Sequence, residues 1–90
     1  MRWIKTENDQ RVNADEIARM SIQSICTADD KFRYALLIHL RNGDEVVYSR
    51  GELLKEDFRE DYSPEDAIKA EESRRALITQ MDHLTEYELA

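Results

Sequence analysis

The sequence predicts an α+β fold, with about four mostly antiparallel strands packed against one long C-terminal helix in a single domain over residues 1–90. Three observations carry this. An Asn42-Gly43 pair separates an apolar run from a second run rich in β-branched and aromatic residues, the signature of a β-hairpin. Between Arg19 and Thr27, Met20, Ile22, Ser24 and Cys26 alternate with Arg19, Ser21, Gln23 and Ile25, which is the period of a strand. After Ser63-Pro64, apolar residues recur every three or four positions, which is the period of a helix.

In chain order, Arg2 to Lys5 reads as a short first edge strand with Trp3 and Ile4 as its apolar residues, and Thr6 to Arg11 reads as a turn. Asn13 and Asp15 suit a second turn, because their side chains bond nearby backbone N–H groups. The alternating strand follows, and Thr27 to Lys31 turns the chain into the hairpin. In the last helix Ser63 is the N-cap, Pro64 opens the first turn and Asp66 completes a variant capping box. Ala67, Ala70, Ser73 or Arg74, Leu77, Met81 and Leu84 then share a face, with Ile78 beside them. The small residues predict a close approach to the sheet near Ala67 and Ala70, and the end is expected to fray near Tyr87.

A two-residue type I′ loop at Asn42-Gly43 would fix the hairpin register by setting Arg41 against Asp44. Counting outward puts Leu40 opposite Glu45, Ile38 opposite Val47 and Leu36 opposite Ser49. Phe32, Tyr34, Leu36, Ile38, Leu40 and Val47 then form one face. Arg33, Ala35, Leu37, His39 and Arg41 form the other with Val46 and Tyr48. On this second face Leu37, Val46 and Tyr48 make an apolar patch that needs a cover. Two covers are open: a short helical turn in 51–62 bearing Leu53, Leu54 and Phe58, or a second copy of the chain in a two-fold dimer.

Ninety residues bury roughly two-thirds of their unfolded surface, enough for a modest core without a deep enclosed cavity. The net charge of −7 is concentrated. Residues 1–51 balance eight basic against eight acidic side chains, whereas 52–72 hold nine acids against three bases. That block should repel phosphate backbones and attract a basic partner. The single Cys26 forms no internal disulfide and suits a reducing cytoplasm. Met1 to Gln10 lacks an apolar leader core, and no run approaches the ~20 apolar residues that cross a bilayer.

Motifs for chemistry are sparse. Cys26 and His39 on adjacent strands would permit a thiolate–imidazole pair, but Cys26 shares its face with Met20 and Ile22 and reads as a small buried hydrophobe. His83 and Glu86 are two ligands rather than a metal site, and the acids from Glu56 to Asp61 lack the spacing of a calcium loop. Gly43 and Gly51, the only glycines, belong to no phosphate-binding motif. Arg33 and Arg41 beside Tyr48 resemble a stacking platform, but the overall charge disfavours direct nucleic-acid binding. No cofactor is implied.

The succession RVNADEIARMSI, ALLIHLRNGDEVVYS and SPEDAIKA resembles small uncharacterised bacterial and phage proteins with a few antiparallel strands and one C-terminal helix. The likeness runs from Arg11 to about Ala70 through structural punctuation. It implies a fold without an activity.

The expectation is a non-enzymatic, cytoplasmic protein-interaction or regulatory module whose partner is a protein, itself included, met through Leu37, Val46 and Tyr48. The alternative is an inhibitor that mimics nucleic acid through 52–72. It would present Glu56, Asp57, Glu60 and Asp61 to a basic nucleic-acid-handling protein.

Overall fold

A computed structural model describes residues 2–27, 31–55 and 64–88. It is α+β, with two antiparallel sheets and one C-terminal helix. Strands β1 (Trp3–Lys5) and β2 (Arg11–Asn13) form the small sheet, in which Ile4 faces Val12. The turn between them folds around Thr6, whose carbonyl accepts from the Asp9 N–H and whose Oγ1 accepts from the Gln10 N–H. Asp9 takes a positive φ of 61° there. The predicted first strand therefore exists but lies outside the main sheet. Its partner β2 was missed because three residues with one buried apolar side chain carry no readable period.

Asn13 caps a 3-10 turn over Ala14–Glu16, its Oδ1 accepting from the Asp15 N–H as the side chains predicted. The main sheet follows: β3 (Ile17–Thr27), β4 (Lys31–Leu40) and β5 (Glu45–Arg50), with β4 in the centre. A two-residue strand, β6 (Leu54–Lys55), pairs with Phe32 and Lys31 and so prolongs the β5 side of β4. The sheet is three strands wide rather than four, since β1 joins β2 instead. Leu54 enters as a strand residue, not in the short helical turn that the sequence allows in 51–62 as one of two covers. Phe58 of that segment lies outside the described residues, as do Ser63 and the Ala28-Asp29-Asp30 turn.

The β4–β5 connection corrects the predicted register. The Leu40 N–H donates to the Asp44 carbonyl and the Gly43 N–H to the Leu40 carbonyl, enclosing a three-residue loop of Arg41, Asn42 and Gly43. Only Gly43 has positive φ, at 96°, so this is not the type I′ turn, which needs two such residues. Asn42 acts instead through its side chain, whose Oδ1 accepts from the Asp44 N–H. The longer loop sets His39 opposite Glu45, Ile38 opposite Val46 and Leu37 opposite Val47. A bulge at Tyr48 then restores Leu36 to Ser49 and Ala35 to Arg50.

Helix α1 (Pro64–His83) begins at the predicted proline and runs into a π turn over Leu84–Glu88 where fraying was expected. Ala70, Leu77 and Leu84 are buried on the predicted face, and Arg74 is exposed. One cluster joins Ile4 of β1, Leu36 of β4, Leu77 and Leu84, with Met20, Ile22, Tyr34, Tyr48 and Met81 against it. A second joins Phe32, Leu54 and Ala70. The helix and the small sheet thus share one face of the main sheet. The closest approach extends past Ala70 to Gly51, whose N–H donates to the Tyr34 carbonyl and whose α-carbon lies under Ser73 and Leu77.

Candidate functional site

The longer loop redistributes the predicted patch. Tyr48 packs into the core cluster under the helix, and Val46, opposite Ile38, belongs to that same face. Leu37 stays on the open face, with Val47 rather than Val46 across from it. A one-residue difference in loop length reverses which side chains of β5 point inward, Tyr48 among them, and the bulge restores the predicted pairing only from Ser49 onward. The arginine platform dissolves for the same reason, because Tyr48 has left the face of Arg33. Leu37 is itself buried, and neither apolar cluster reaches the open face. Leu54 has gone to the helix side, so the intramolecular cover proposed for Leu37 does not come from it. Glu56, Asp57, Glu60 and Asp61 lie outside the described residues. Of the remaining acidic block, Glu52, Glu65, Glu71 and Glu72 are exposed, and Glu71 pairs with Arg75 at 3.2 Å.

Cys26 and His39 are not brought together. Cys26 pairs with Phe32 at one end of the β3–β4 ladder and His39 with Arg19 near the other. Cys26 is exposed rather than buried, because it sits at the far end of an edge strand. Among the described residues, no three His, Cys, Asp or Glu gather in a way that would hold a metal ion.

The open face instead carries a polar line across all three strands. Ser21 Oγ lies 2.6 Å from His39 Nε2, and Glu45 Oε1 lies 3.3 Å from His39 Nδ1. Gln23 Nε2 donates to Ser21 Oγ at 3.2 Å. Register explains the assembly: Glu45 is directly opposite His39, and Ser21 is one diagonal step away on β3. The imidazole tautomer sets which of Nε2 and the Ser21 hydroxyl donates, and an Nδ1–H would face the Glu45 carboxylate. The connectivity is that of a polarised serine. Acyl transfer also needs donors aimed at the developing oxyanion, and the side-chain donor at Ser21, Gln23, is already bonded to Oγ itself. The line therefore satisfies an imidazole whose side chain is only 9% exposed, a group that would otherwise be costly to bury. Sequence reasoning missed it because the misread loop moved Glu45 away from His39 and no register was read between β3 and β4. The available signal was the period of β3, which puts Ser21 on the polar face.

The two edges of the main sheet differ. Along β5, the Glu7 N–H donates to the Tyr48 carbonyl, and the Glu7 carboxylate accepts from the Arg50 N–H and lies 3.7 Å from Arg50 Nε. The Thr6 to Arg11 turn therefore caps that edge. Strand β3 pairs with β4 on one side, and among the described residues no strand pairs with its other side. No helix of the described residues is long and apolar enough to cross a membrane. No protein family, curated protein or solved structure matches the chain. The class defined so far is that of a small α+β protein of two antiparallel sheets and one C-terminal helix.

Proposed function

We propose that this chain is a non-enzymatic protein-interaction module that pairs with a second copy of itself along the outer edge of β3. The observation that carries this reading is the composition of that edge. From Met20 to Thr27 it has no charge, proline or glycine, the features with which natural sheets block edge pairing. Its irregularity, a register shift between Ile17 and Arg19, lies at the strand's start and leaves this stretch regular. An antiparallel two-fold pairing centred there sets uncharged residues against uncharged ones, which favours a second copy in a chain of net charge −7. It would join two three-stranded sheets into one of six strands.

Gln23 and Ser24 are both exposed, so placing lysine at both should leave the fold intact while setting like charges across the two-fold. Sedimentation at micromolar concentration is expected to show a dimer for the parent chain and a monomer for Gln23→Lys/Ser24→Lys. A monomeric parent, or a dimer indifferent to both lysines, would remove β3 as the interface.

A further inference from the structure

We propose that the cleft at the turn end of the main sheet, lined by Arg2, Asp15, Arg19 and Arg41, is a binding site for a small oxyanion, a phosphate or a polycarboxylate. The cleft has a volume of about 500 Å³, and Ile17 and Met20 contribute to its walls. That size matches small-ligand sites. Its arginines come from three separate parts of the chain: the residue before β1, the start of β3 and the β4–β5 loop. No ion pair of Arg19 or Arg41 occurs among the described residues, whereas Arg50 and Arg75 each face a glutamate. In a chain that is acidic overall, three arginines against the single aspartate of the lining make a local positive field. Guanidinium forks match the geometry of carboxylate and phosphate oxygens.

The frame is held by the backbone. The Ala14 N–H donates to the Arg2 carbonyl and the Arg41 N–H to the Glu16 carbonyl, both at 2.9 Å, and Asn13 caps the intervening 3-10 turn. These bonds tie the segment before β1, the 3-10 turn and the hairpin loop into one rim. The register shift between Ile17 and Arg19 re-aims the strand at the point where Arg19 enters the cleft. Asp15 places one acceptor among the donors, which suits a ligand that carries a hydroxyl or a proton beside its anionic oxygens. The site shares only Met20 with the pairing edge of Met20 to Thr27.

The test is titration of the full chain with inorganic phosphate, pyrophosphate and citrate at constant ionic strength, followed by amide chemical shifts. Saturable shifts confined to Ala14 to Met20 and Arg41, with a dissociation constant on the order of 1 mM or tighter, are expected for at least one anion. Saturation by the phosphates alone or by citrate alone would each support the site and identify its ligand class. Arg19→Gln/Arg41→Gln should weaken binding by roughly tenfold or more, while Arg75→Gln, which alters an exposed arginine of α1, should leave it unchanged. Shifts that never saturate, that spread over the surface cations, or that survive the double substitution would overturn the proposal. The side chains exchanged are exposed, and unchanged urea melts will establish that the variants fold.

Discussion

Truncating Leu36 to alanine is expected to remove about 2–5 kcal/mol of stability, a large part of what a domain of this size has to lose. Leu36 is fully buried at the middle of β4, where it meets Ile4 of the small sheet and Leu77 and Leu84 of the helix region. Its side chain is thus the point at which three elements share one core. The surrounding strands and helix can close the resulting cavity only in part. Urea unfolding followed by circular dichroism should show the midpoint falling with little change in slope. Leu53→Ala, at a position 40% exposed, should stay within about 0.5 kcal/mol. A Leu36→Ala loss no larger than that of Leu53→Ala would mean that the helix is not seated on β4.

The second large effect is expected at Gly51, where even a methyl group is too much. A β-carbon there would collide with Ser73 Oγ and lie 3.3 Å from the Tyr34 carbonyl oxygen. Gly51→Ala should therefore cost about 1–3 kcal/mol despite the unfolded-state entropy that alanine removes. Ser73 Oγ is buried with no hydrogen-bond partner among the described residues. Ser73→Ala alone should be neutral or stabilise by about 1 kcal/mol, since it deletes an unsatisfied hydroxyl. Combined with Gly51→Ala, it should return part of the loss, a coupling that a double-mutant cycle reads directly. An unchanged cost of Gly51→Ala in the Ser73→Ala background would assign the collision to the Tyr34 carbonyl instead.

Local sequence made much of the fold legible. The period of β3, the proline that opens α1 and the helix face through Ala70, Leu77 and Leu84 each depend on neighbours close in sequence, and each appears in the structure. Asn13 and Asp15 formed their turn for the same reason. The hairpin was legible in existence but not in detail. Asn-Gly serves a two-residue loop with both residues at positive φ. It serves equally a longer loop in which asparagine bonds through its side chain and glycine alone takes the positive φ. The difference is one residue, yet it moved Val46 and Tyr48 off the face where Leu37 remained. Of the predicted site residues, the patch was therefore split and the acids from Glu56 to Asp61 lie outside the described residues.

What the sequence by itself determined is the α+β class, the positions of the long strands and the helix, and the inward face of that helix. These follow from side-chain periodicity and backbone preference, which act over a few residues. Only the tertiary structure decided that β1 leaves the main sheet for β2 and that Glu7 caps β5 while β3 stays open. It also decided that Ser21, His39 and Glu45 line up, and that Arg2, Arg19 and Arg41 share a cleft. Each of these depends on strand register between residues far apart in sequence. Register is set by loop length and bulges, whose energies differ by less than the sequence pattern alone can resolve.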